Sequence, residues 1–110
     1  MSDLGKLFTT VKVDLLAGDA TRELVADPGD GSSIRVFRIL YISKTSASQL
    51  LNVAVGTVNY LNLAIDISAH VIIDTGWLDG GIIGQASEAM VATPAAAGPA
   101  GSFYVTYVIE

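Results

Sequence analysis

The chain has 110 residues, enough for one domain and too few for two. It is 51% apolar before its 11 glycines are counted and only 15% charged, with a mean hydropathy of +0.53, which excludes a disordered tail. Net charge is −5 and there is no cysteine, which excludes a free nucleic-acid binder with a basic face, a disulfide framework and a thiolate site.

The predicted elements are short β-branched and aromatic runs broken by Gly, Asp, Asn, Ser and Pro. In Leu7–Leu16, Val11, Val13 and Leu15 alternate with Thr10, Lys12 and Asp14. Thr21–Ala26 is a second strand, followed by the dense turn Asp27-Pro28-Gly29-Asp30-Gly31-Ser32-Ser33. Ile34–Ser43 is the strongest strand. Strict alternation puts Ile34, Val36, Arg38, Leu40 and Ile42 on one face and Arg35, Phe37, Ile39 and Tyr41 on the other. Both faces are largely apolar, which predicts a central strand covered on both sides.

Lys44–Ser48 reads as a polar loop. Leu51, Val53 and Val55 alternate with small or polar residues, as do Leu61, Leu63, Ile65 and Ile67 in Tyr60–Ile67. The uncharged stretch 45–65 has membrane-spanning length, but Gln49, Asn52, Asn59 and Asn62 interrupt it and its pattern alternates in period two, so no membrane span is read there. His70–Asp74 is a short strand, Thr75–Gly81 a loop, Ile82-Ile83 a brief strand and Glu88–Thr93 another. Pro94–Gly101 is a small-residue loop before the last strand, Phe103–Ile109. The expectation is an all-β, single-domain, jelly-roll-like β-sandwich of about eight strands over 13–110, with 1–12 either an N-terminal arm or a first strand.

Chemistry-bearing constellations are sparse. His70 has no Ser–His–Asp context and reads as structural. Asp27 and Asp30 lack the further oxygen ligands a calcium loop needs and read as turn residues. Asp66, Asp74 and Asp79 have no spacing that defines an acid pair. Gly81-Ile82-Ile83-Gly84 lacks basic flanks, and no phosphate-cradling glycine loop is present. No catalytic, cofactor or metal residue is therefore assigned, and no enzyme activity is expected. Trp77, between Gly76 and Gly80-Gly81, either anchors a contact or plugs the sandwich end.

Charge is uneven. All six basic residues lie in the first 44 positions beside six acids, so the net charge belongs to residues 45–110. The N-terminus lacks a basic segment followed by an apolar run, so no secretory signal is read.

The order of features resembles the small jelly-roll capsid cement or decoration proteins of tailed bacteriophage virions. The resemblance spans Leu15 to Glu110. It rests on Val25-Ala26-Asp27-Pro28-Gly29-Asp30-Gly31-Ser32-Ser33-Ile34-Arg35-Val36, on Gly76-Trp77-Leu78 with Gly80-Gly81, on Ser87-Glu88-Ala89-Met90-Val91, and on Gly101-Ser102-Phe103-Tyr104-Val105-Thr106-Tyr107-Val108. These are turns and strand faces, shared with tail or fibre components of the same fold. The resemblance implies a homotrimer on the outer surface of a virion shell, clamping neighbouring major capsid protein subunits, with no nucleic-acid, membrane or small-molecule partner. The apolar surplus fits such a role, because protomer and shell contacts both bury surface.

Candidate partner-contact residues are Leu4, Leu7, Phe8, Tyr60, Trp77 and Leu78. A carbohydrate-binding module, with Trp77 and Tyr60 as stacking platforms and Asp66 or Asp79 as acceptors, is the alternative.

Overall fold

The structure, a computed structural model, describes residues 8–16, 21–43, 49–65, 72–94 and 101–110. Among these, nine strands form: β1 (Thr9–Leu15), β2 (Arg22–Val25), β3 (Ile34–Ser43), β4 (Gln49–Val55), β5 (Val58–Ile65), β6 (Ile72–Asp74), β7 (Ile82–Ile83), β8 (Met90–Pro94) and β9 (Gly101–Ile109). The protein is all-β, as the period-two alternation requires.

The strands pair as one long hairpin folded over on itself. β4 and β5 form the tip across the Gly56-Thr57 turn, β3 pairs with β6 and β7, β2 with β8, and β1 with β9, all antiparallel. One sheet runs β1-β9-β3-β6, with β7 also on β3, and the other runs β2-β8-β4-β5. With β6 and β7 counted as one interrupted edge strand, this is the jelly-roll order.

The inner faces of the two sheets meet in one core. Leu15, Ile34, Val36, Ile39, Tyr41, Phe103 and Val105 come from the five-stranded sheet, and Leu24, Val25, Val53, Val55, Met90 and Ala92 from the four-stranded one. The Tyr41 and Phe103 rings lie 4.6 Å apart, tilted by 39°. Gly101 opens β9 where a Cβ would lie 2.5 Å from Tyr41 Cε1 and 2.6 Å from the Ile42 carbonyl oxygen. Any larger residue there displaces the ring or the backbone.

The predicted faces of β3 need correction. Val36 pairs with Tyr107 and Arg38 with Thr106, so Phe37 is an extra, bulged residue. The bulge reverses the alternation. Ile34 and Val36 share the core with Ile39 and Tyr41, whereas Arg38 and Leu40 share the outer face with Arg35. Of the predicted loop Pro94–Gly101, Pro94 closes β8 and Gly101 opens β9, whereas 95–100, the predicted loop 44–48 and the segment 66–71, which includes Asp66 and His70, lie outside the described residues.

Candidate interaction surface

The bulge at Phe37 organises the outer face of the five-stranded sheet. β6 pairs with Leu40–Ile42 and β7 with Arg35–Val36, so the Thr75–Gly81 loop detours past the bulge on the same side of β3. The loop supplies the hydrogen bonds that a continuous strand would have made. The amide of Thr75 donates to the Ile39 carbonyl at 3.0 Å, the Ile39 amide donates to Thr75 Oγ1 at 3.0 Å, and the Leu78 amide donates to the Phe37 carbonyl at 2.7 Å. The bulge therefore leaves no orphaned carbonyl at Phe37 or Ile39.

This course lays Trp77 over Phe37. Their rings are stacked, 5.1 Å between centroids and 28° between planes. Phe8, just before β1, stands edge-on to both, 4.9 Å from Phe37 and 5.3 Å from Trp77. Phe37 is buried, while Trp77 is 56% and Phe8 43% exposed. Gly81, at φ +69°, passes so close that a Cβ would lie 2.6 Å from Arg35 Cγ and 3.0 Å from Phe37 Cζ. The result is a small aromatic cluster outside the main core, rigid underneath and open above.

Two forked arginine pairs frame it. Arg35 Nε and Nη2 donate to the Glu110 carboxylate at 2.5 and 3.0 Å, and Nη1 donates to the Gly80 carbonyl at 3.0 Å. Arg38 Nε and Nη2 donate to the Asp74 oxygens at 3.0 and 2.6 Å, and the Gly76 amide donates to Asp74 Oδ1 at 2.8 Å. The Arg38 bonds and the Gly76 amide hold the Asp74 carboxyl down at about 2, and the same carboxylate raises the Arg38 guanidinium. Lys12 Nζ sits 4.0 Å from Asp14 Oδ1, which also accepts from Ser102 Oγ at 2.7 Å.

The ion-paired charges on this face balance: Lys12, Arg35 and Arg38 against Asp14, Asp74 and Glu110. Asp79 lies exposed in the same loop as Trp77. The remaining charged groups among the described residues are Arg22, Glu23, Asp27, Asp30 and Glu88. No family model, curated protein or solved structure matches this chain.

Of the six candidate contact residues, Phe8 and Trp77 are brought together here, and Leu78 is half-buried in the loop beside them. Leu4 and Leu7 lie outside the described residues. Tyr60 lies elsewhere. It packs on the core, and its hydroxyl donates to the Ile82 carbonyl at 3.1 Å, bridging the four-stranded sheet to β7. Burial pushes its phenol up to about 12, against the opposing pull of Arg35. It is therefore no second platform beside Trp77.

The Asp27 carboxylate accepts from the Gly29 amide at 2.8 Å, as a turn residue does, and Ser87 Oγ accepts from the Gly31 amide at 3.0 Å. No group of three or more His, Cys, Asp or Glu that could hold a metal occurs among the described residues. The residues that sequence reading missed are Phe37, Arg35 and Arg38. Arginines in a strand otherwise rich in β-branched and aromatic residues were the available signal for an outward face bearing ion pairs.

Proposed function

We propose that this chain is a structural virion protein that docks as a homotrimer on the outer surface of a bacteriophage capsid and stabilises the junctions between its subunits. The observation that carries the reading is the outer face of the five-stranded sheet, where Trp77 and Phe8 are held open over a buried Phe37. Exposed aromatic anchors on a rigid base suit tight binding without chemistry, because little side-chain freedom is lost on contact. The jelly-roll order and the resemblance of the turn and strand pattern to decoration proteins support the same reading. Three protomers engaging one site would add avidity only where shell subunits are correctly spaced.

The test is to strip the protein from particles, add it back, and measure occupancy and heat resistance. Preference for assembled shells over free capsid subunits, with a gain in heat resistance, is expected. Equal binding to both, or shells equally heat-resistant without the protein, would leave the tail or fibre reading. Glycan binding lost on Trp77→Ala would favour the carbohydrate-binding alternative, which keeps Trp77 as a platform and Asp79 as an exposed acceptor in the same loop but loses Tyr60 as a second platform.

A further inference from the structure

The free edges of the two sheets differ in how well they resist pairing with another chain. The β6–β7 edge is broken by the Thr75–Gly81 loop. β2 is four residues long, with a register shift between Glu23 and Val25, and the β4–β5 pairing shifts between Val53 and Ala54. β1 has no such device. Its seven residues keep an unbroken register with β9, from Thr9 opposite Tyr107 to Leu15 opposite Gly101, with no proline and no bulge. Among the described residues its other edge has no partner strand.

The side chains along that edge are self-complementary. Val11, Val13 and Leu15 face inward, and Val11 and Val13 are only half-buried at the rim of the core. Thr10, Lys12 and Asp14 face outward, opposite Thr106, Tyr104 and Ser102. We infer that β1 pairs antiparallel with β1 of a second copy about a two-fold axis at Val13, joining the two five-stranded sheets into one.

In this register Lys12 faces Asp14 of the second copy, twice over. Val13 faces its own counterpart, and Val11 faces Leu15. Slipping by one residue would set the core face of one strand against the solvent face of the other. Centring on Lys12 or on Asp14 would put like charges directly opposite, which is unfavourable. The added strand covers the half-exposed valines and extends the ladder along the edge of β1 that has no partner strand among the described residues. Each chain carries −5 overall, but salt screens that repulsion beyond about 10 Å, whereas the Lys12–Asp14 contacts are adjacent. A two-fold contact joins copies in pairs, so it adds to a three-fold contact and does not build one.

The inference stands apart from the decoration reading, because its test uses the full chain in solution without shells. The chain has no cysteine, so Lys12→Cys and Asp14→Cys each introduce a single thiol. Under mild oxidation the mixed chains should crosslink several-fold faster than either variant alone. Equal rates in all three samples would overturn the register. Lys12→Asp should weaken self-association by about tenfold, and the swap Lys12→Asp with Asp14→Lys should restore it. A swap that fails to restore association, with circular dichroism and melting unchanged, would also overturn it.

Discussion

The indole of Trp77 lies flat on the ring of Phe37, although one belongs to a loop and the other to the bulge of a strand 40 positions earlier. The stack makes the exposed ring part of the fold, because removing Trp77 uncovers a ring that is otherwise 1% exposed.

Trp77→Ala should therefore act on both stability and docking. A loss of roughly 1–3 kcal/mol in chemical unfolding is expected, less than for a central core residue since the indole is half in solvent. Shell binding should fall by at least about tenfold. Trp77→Phe, which keeps a stacked ring, should recover most of the stability. Unchanged unfolding in Trp77→Ala would mean that the stack contributes nothing.

Asp74 makes stability depend on acid pH. Its folded-state carboxyl titrates at about 2, below the ordinary value of 3.8, so its contribution is complete above about 4 and fades as pH falls towards 2. Asp74→Asn should melt below the parent protein at neutral pH, and the two melting curves should converge near pH 2. A constant difference across that window would place the effect in packing, not in charge.

Tyr60 sets the corresponding limit on the alkaline side. Its phenol is held neutral up to about 12 against an ordinary value of 10, so its contribution is complete below 10 and is lost as pH rises through 12. Phenolate absorbance should show Tyr60 titrating late in the native state, alongside Tyr41, which burial also raises above the ordinary value. Tyr60→Phe should remove one tyrosine from that late titration and cost about 0.5–1.5 kcal/mol for the lost bond to Ile82.

Gly101→Ala tests the close approach of β9 to Tyr41. The added methyl meets ring and backbone at 2.5–2.6 Å, so destabilisation of about 1–3 kcal/mol is expected. The double variant Gly101→Ala with Tyr41→Leu should lose less than the sum of the two single changes. Strict additivity in denaturant melts would show that the two positions do not interact.

Much of this architecture was legible in the residues themselves. The boundaries of Ile34–Ser43 agree with the sequence reading, and the alternation of Val11, Val13 and Leu15 marks the inward side of β1 correctly. The faces of β3 beyond Phe37 were not legible. A bulge adds a residue without altering composition, and this one is tied by amides of a loop some 40 positions away, which no local pattern records. The same gap hid Phe37 as the base under Trp77. Tyr60 stood out as an exposed-looking aromatic in an alternating strand, yet its hydroxyl reaches the Ile82 carbonyl, a contact fixed only when the two sheets close.

The nested pairing also governs how the chain comes together in time. The β4–β5 tip joins near neighbours, Val55 with Val58, whereas β1 must find β9 across almost the whole sequence, Thr9 with Tyr107. Loop-closure entropy makes the tip the favourable place to start and the β1–β9 pairing the slowest to reach. Because β9 lies between β1 and β3, both remain without that neighbour until it has been synthesised. A nascent chain therefore carries exposed strand edges until β9 has been made, and cellular yield should depend on how promptly β9 leaves the ribosome.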